Sequence, residues 1–222
     1  MFDTIGYAIL DKLSKTAFWE WFTKKFLSSA TTRVFGYPKF RMEDYFRIVD
    51  LMRPGRVYAF ACSDYSSVGS QTIRTISNAV FTHGGMVESG RDRTTKVLHM
   101  RSVGLQYDHM LSLLREVDYF AVVEIPTNAS SDCTIVRDRM INAWVNRKNF
   151  TYDFEEKLGN DQNKVYCSEF VLNICGDLCR IKPKTQTILG REVFAPDNIL
   201  DLGKVIFSNH EGVAKKYRND PN

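Results

Sequence analysis

A series of short strand-like segments in the middle of the chain constrains the fold most strongly. Strands are predicted at 57–62, 79–88, 96–101 and 119–125, because each segment is apolar or alternating and ends at turn residues. A single short helix, 69–78, is predicted within this series, and the other helices come before or after it. A doubly wound parallel sheet would need regular strand–helix alternation. The order therefore predicts an α+β fold in which an antiparallel sheet packs against helices.

Apolar residues recur at helical spacing on both sides of the strands, over 5–30, 41–52 and 131–148. We divide the chain into an N-terminal helical extension, residues 1–52, and a domain of residues 53–222. The 5–30 segment combines aromatic residues with lysines, which favours an accessory helical layer packed on the domain. The alternative is an amphipathic surface that docks on a membrane or a protein partner.

Composition excludes several classes of protein. The 222 residues are 44% hydrophobic and 25% charged, which is typical of a globular protein, and the net charge of +4 is spread among interspersed acids and bases. This pattern does not favour a nucleic-acid partner. The chain shows neither a secretory leader nor a membrane-spanning stretch, so a cytoplasmic protein with free thiols is expected. No Walker loop, dinucleotide fingerprint or serine elbow is present, and no cofactor is predicted.

One cysteine lies where helix chemistry favours its reactive form. A polar loop, 158–164, leads into Val165 and Tyr166, and apolar residues at helical spacing follow Cys167. The pattern places Cys167 in the first turn of a buried helix, where unpaired N–H groups and the helix dipole favour a thiolate. A helix-start cysteine alone is more often a packing residue than a nucleophile.

Two histidines could supply the base that a cysteine nucleophile needs. His83 and His99 lie on the strands 79–88 and 96–101, and a hairpin between these strands would bring the two rings together on one face. One histidine could then take the thiol proton while the other fixes its tautomer. The same two residues with Cys167 could bind zinc, but no closely spaced Cys-x-x-Cys or His-x-x-x-His pair supports a metal site.

Five short motifs occur in a fixed order along the chain. They are Pro54–Phe60, Thr82–Val87, Val97–Met100, Tyr166–Phe170 and Pro196–Asp197. In this order they resemble the circularly permuted branch of the NlpC superfamily of papain-like cysteine hydrolases, in particular the YiiX-like proteins. The resemblance covers roughly residues 53–205, and the histidine precedes the cysteine, which is the permuted order.

The resemblance implies a role for each motif residue. Cys167 would be the nucleophile, His83 the base and His99 the third polar residue. YiiX-like members often carry Glu at the third position, so Glu124, on a following strand, is the substitute if the hairpin register differs. The backbone N–H of Cys167 would stabilise the oxyanion, with Tyr166 or Tyr58 as a supporting group.

The resemblance also implies the class of reaction. We expect a cysteine hydrolase that acts through an acyl-thioester on an amide or peptide bond, in a cell-wall peptide or a protein tail. Two alternatives stay open: a lipid acyl hydrolase or acyltransferase of the same fold, and a papain-fold binding or structural protein without turnover. The expected partner is accordingly a peptide, a peptidoglycan peptide or a lipid acyl substrate.

Overall fold

The computed structural model describes residues 41–64, 74, 79–89, 94–129, 131–153, 164–188 and 191–218. The helix expected at 5–30, nearly all of the one expected at 69–78, and the connection at 90–93 lie outside these residues. In chain order the helices are α1 (Met42–Leu51), α2 (Met110–Leu114), α3 (Asp132–Val145), α4 (Cys167–Cys175) and α5 (Glu211–Arg218), with 3-10 helices at Arg147–Asn149 and Pro196–Leu202. The strands are β1 (Val57–Ser63), β2 (His83–Ser89), β3 (Thr95–Arg101), β4 (Gly104–His109), β5 (Tyr119–Ile125), β6 (Thr151–Tyr152), β7 (Lys164–Val165), β8 (Gln186–Ile188), β9 (Arg191–Val193) and β10 (Lys204–Ser208).

Six of these strands form one sheet in the order β10-β5-β1-β2-β3-β4. Every neighbouring pair in it is antiparallel. The central strand, β1, has no charged residue, and all seven of its residues are buried. The predicted antiparallel α+β architecture is therefore confirmed.

Helices cover the sheet on both sides, which explains why β1 is buried throughout. Alternate residues of a strand point to opposite faces. The α1 face carries Tyr58, Phe60 and Cys62, which pack in one apolar cluster with residues of α1 and α2. The α4 face carries Ala59 and Ala61, which pack in a second cluster with residues of α3, α4, α5 and the helix Pro196–Leu202.

Helix α1 falls within the extension predicted for residues 1–52. Its residues Tyr45 and Ile48 are buried in the cluster on the α1 face, so this helix packs directly on the sheet. The boundary at residue 52 stays a prediction. None of the helices in the described ranges has the length and hydropathy needed to cross a bilayer.

Two features of the sheet differ from the expectation. Strand β2 begins at His83 and not at residue 79, because the backbone N–H groups of Val80 and Phe81 donate to the Asp197 carboxylate instead of a neighbouring strand. Strand β4 was not predicted. It forms because Gly104, at a φ of 105°, closes a tight turn after β3 and pairs with Arg101.

Candidate active site

His83 and His99 form a hydrogen-bonded pair of imidazoles. The β2–β3 register pairs Gly85 with His99, so His83 lies diagonally from His99 on the same face. The distance from His83 Nε2 to His99 Nδ1 is 2.7 Å. The antiparallel pairing expected between the two strands is present, and it brings the two rings together on the α1 face, next to Phe60.

Gly85 makes this close approach possible. A Cβ at Gly85 would lie 2.6 Å from the Cβ of His99, 2.7 Å from the carbonyl oxygen of Leu98 and 2.7 Å from Cε1 of Phe60. The ring of Phe60 is in turn stacked on Phe120, with ring centroids 5.3 Å apart. Any larger residue at position 85 would therefore push the backbone or the Phe60 ring away from the imidazole pair.

A third residue, Asp108, extends the pair and was missed by the sequence reasoning. Its Oδ2 lies 3.0 Å from Nε2 of His99. Asp108 is on β4, two residues beyond Gln106, which is the register partner of His99, so its side chain lies on the same face. The Gly104 turn directly after β3 was the one feature that could have revealed a third strand beside His99.

The hydrogen-bond chain assigns the tautomer of each ring. The hydrogen bond from His99 lowers the pKa of Asp108, so its carboxylate is ionised and only accepts. His99 Nε2 must then carry the proton, and its Nδ1 accepts from Nε2–H of His83. This arrangement leaves the lone pair of the base on His83 Nδ1.

Burial keeps both rings neutral. Desolvation lowers the pKa of His83 well below its usual value, and the nearby charges of His99 and Arg101 lower it further. Desolvation also lowers the pKa of His99, although its hydrogen bond to Asp108 opposes this effect. At neutral pH, His83 is therefore a free base that can accept a proton.

Cys167 is the first residue of α4, as the sequence predicts, and it is a buried thiol outside any disulfide. The residues on either side of it are both held by the backbone of Phe194. The hydroxyl of Tyr166 accepts from the N–H of Phe194 at 2.9 Å, and the hydroxyl of Ser168 donates to the carbonyl of Phe194. These contacts fix the start of α4 and the direction of the first free N–H groups.

Cys62 shows where the start of α4 lies relative to the histidines. Cys62 is the register partner of His83. Burial raises the pKa of the Cys62 thiol, and the charge of Cys167 raises it further, so Cys167 lies in the electrostatic neighbourhood of Cys62. Helix α4 packs against β2 through the α4 face, whereas the imidazoles lie on the α1 face. The start of α4 therefore lies near the end of the sheet where β1 ends and β2 begins.

The Pro196–Asp197 motif supports the segment that leads into His83. The Asp197 carboxylate accepts the N–H of Val80 at 3.0 Å and that of Phe81 at 2.7 Å. Burial raises the pKa of Asp197, while these two hydrogen bonds oppose the effect. The motif thus anchors the residues just before β2.

Tyr58 and Glu124 lie at the other end of β1. They are register partners of each other, and Tyr58 also pairs with Val87. The Tyr58 hydroxyl accepts from the N–H of Arg53, and Glu124 forms an ion pair with Arg56 at 3.6 Å. The structure therefore does not bring these two residues to the imidazole pair, and the partner of His83 is His99.

An antiparallel sheet that carries two linked imidazoles, followed in the chain by a helix that begins at a cysteine, defines a permuted papain-like protein. Residues 65–216, more than half of the chain, match the family described as permuted papain-like amidase enzymes, YaeF/YiiX, family C92. The chain belongs to this family.

A solved structure shares the fold. It is the crystal structure of a protein titled metalloprotein yiiX from Escherichia coli O157:H7, with 14% sequence identity and a TM-score of 0.55, and the match covers 71% of this chain and 97% of that one. No curated protein sequence matches the chain. In the described part of this chain, no group of three or more His, Cys, Asp or Glu side chains could hold a metal ion.

Proposed function

We propose that this protein is a cysteine amidase in which Cys167 is the nucleophile and His83 the general base. The observation that carries the proposal is the hydrogen-bond chain from Asp108 through His99 to His83, which leaves one basic nitrogen on His83. The start of α4 lies at the same end of the sheet, and the family is one of amidases.

In the first half of the reaction, His83 Nδ1 takes the proton of the Cys167 thiol as the sulfur attacks the carbonyl carbon of the amide. The tetrahedral oxyanion accepts a hydrogen bond from the backbone N–H of Cys167 at the helix start, with the Tyr166 hydroxyl as a supporting candidate. His83 then gives its proton to the amide nitrogen, and the C–N bond breaks. The free amine leaves, and the acyl group stays on sulfur as a thioester.

In the second half, water attacks the thioester carbonyl while His83 takes a proton from the water. The C–S bond breaks, the acid leaves, and the proton returns to the thiol of Cys167. In both halves His83 is transiently an imidazolium. His99 accepts its Nε2–H, and the ionised Asp108 holds His99 in the accepting tautomer, so the developing charge is stabilised.

The proposed substrate is an amide or peptide bond in a cell-wall peptide or a protein tail. The amidase family supports the type of bond. Cell-wall peptides and protein tails are both proposed because both contain such a bond.

A substrate panel tests the proposal. The purified chain is assayed with peptide p-nitroanilides, cell-wall peptides and fatty-acyl esters, beside C167A and the matched control C179A. We expect amide cleavage by the wild type and C179A, and none by C167A at an unchanged melting temperature. Retained turnover in C167A would refute the nucleophile. Cleavage of acyl esters alone would favour the lipid hydrolase, and binding without turnover would favour the non-catalytic alternative.

A further inference from the structure

A concave site lies at the other end of β1 from the imidazole pair. It is a cavity of about 240 Å³. Its lining includes the start of β1, the end of β2 and the first two turns of α3. Tyr58, which lines it, is four residues along β1 from Cys62, or roughly 13 Å at the usual rise per strand residue. The cavity is therefore separate from the proposed active site.

Three arginines give this cavity its charge: Arg53, Arg56 and Arg137. Arg53 and Arg56 flank Pro54 and Gly55, and Gly55 has a φ of 73°. Proline followed by glycine at positive φ is the signature of a type II β-turn, which brings its first and fourth Cα atoms within about 7 Å of each other. The turn thus holds two guanidinium-bearing residues on one rim of the cavity.

The turn is anchored and does not depend on a ligand for its shape. The hydroxyl of Tyr58 accepts the N–H of Arg53 at 2.6 Å and lies 3.4 Å from the Arg53 carbonyl oxygen, to which it donates. Arg137 faces the turn from α3, one turn of helix beyond Cys133 and Thr134, which also line the cavity. The positive charges are therefore presented by a preorganised backbone.

Acidic groups do not balance these charges. Glu88 is the one carboxylate among the lining residues, and it accepts a hydrogen bond from the Tyr107 hydroxyl. Arg56 is shared with Glu124 at 3.6 Å. In the described residues, no carboxylate forms an ion pair with Arg53 or Arg137. Glu88 and Glu124 together offset two of the three arginine charges, so the site keeps an excess of one positive charge, which favours an anionic ligand.

We propose that this cavity is a binding site for the phosphate group of a small molecule. Guanidinium groups match phosphate oxygens in two-point hydrogen bonds. The apolar floor formed by Val57, Val136 and Met140 would contact the carbon skeleton that bears the phosphate. The proposal is independent of the chemistry assigned to Cys167.

Isothermal titration calorimetry of the full chain in a low-salt chloride buffer tests the site. Inorganic phosphate, glycerol 3-phosphate and acetate are titrated into the wild type, R53Q and R137Q. The control is R47Q, which removes the same charge from the exposed face of α1. We expect saturable 1:1 binding of both phosphates, tighter for the ester, and a loss of about ten-fold or more in each cavity variant. R47Q should bind as the wild type does.

Three results would overturn the proposal. They are an absence of saturable phosphate binding, an equal loss in R47Q, which would indicate general charge attraction, and tighter binding of acetate than of phosphate. Because the substituted arginines are exposed, we expect every variant to fold. The melting temperature of each variant checks this. The titration does not measure amide cleavage, so an absence of phosphate binding would not contradict the proposed amidase function.

Discussion

Asp108 is the residue whose removal tests the hydrogen-bond chain most sharply. In D108A, His99 loses the acceptor of its Nε2–H and is free to adopt the other tautomer. A proton on His99 Nδ1 would face His83 Nε2, and His83 would then carry its own proton on Nδ1, which is the wrong nitrogen for a base. The variant should therefore lose activity although Asp108 does not touch the thiol.

The structure sets the size of this loss. A hydrogen bond to a charged group contributes about 1.5–3 kcal/mol. If that energy is expressed only when His83 is protonated in the transition state, kcat/KM falls by about 10- to 150-fold. The Asp108 side chain is 39% exposed. Water can therefore replace part of the contact in D108A, which favours the lower end of this range.

The assay is a pH profile of kcat/KM on the amide substrate that the panel identifies. Asp108 raises the pKa of His99. Its removal makes the imidazole pair harder to protonate, so the acid limb of the profile should move to lower pH. D108N, which retains an acceptor oxygen without the charge, should recover part of the rate. The control is D177N, because Asp177 is also an exposed, ion-paired carboxylate. Wild-type rates and an unmoved acid limb in D108A would refute the assigned tautomers.

Three further predictions concern the scaffold of the site. Gly85→Ala should lower the free energy of unfolding by about 1–3 kcal/mol and abolish turnover, because its Cβ would overlap His99; urea unfolding equal to wild type would contradict this. Ser168→Ala should lower the free energy of unfolding by about 1–3 kcal/mol, because the buried carbonyl of Phe194 loses its hydrogen-bond donor. An unchanged urea midpoint would show that the hydroxyl does not hold α4. Melting temperature should fall as pH drops below about 6.5, because the pKa of both His83 and His99 is lowered in the folded state and the unfolded chain binds more protons there. The full stability is present above about pH 6.5. H83Q should make the melting temperature depend less steeply on pH; an equally steep dependence in H83Q would mean that other groups titrate.

The strands that carry the histidines could be predicted because their apolar periodicity is strong. Strand β5 matches the predicted range, and β1 and β3 match it to within a residue. Helix α4 begins at the predicted cysteine because polar loop residues change there to an apolar helical series.

Asp108 could not be predicted, because its role depends on the register of a strand that is only six residues long. In β4 the apolar residues Leu105 and Tyr107 alternate with the polar residues Gln106 and Asp108, but this alternation lasts for only four residues, the lower limit of the pattern that marks a strand in sequence. The start of β2 was misplaced for a related reason. Asp197 binds the N–H groups of Val80 and Phe81 from more than one hundred residues away, and local pattern does not report such a contact.

The pH dependence of cysteine alkylation shows whether His83 activates Cys167. Iodoacetamide labelling is followed by peptide mapping in the wild type and H83Q, with Cys179 in the same digest as the internal control. We expect Cys167 in the wild type to be labelled well below the pH of an ordinary thiol, about 8.5, and H83Q to remove this advantage. Labelling of Cys167 that follows an ordinary thiol in the wild type, or that is the same in H83Q, would contradict this expectation.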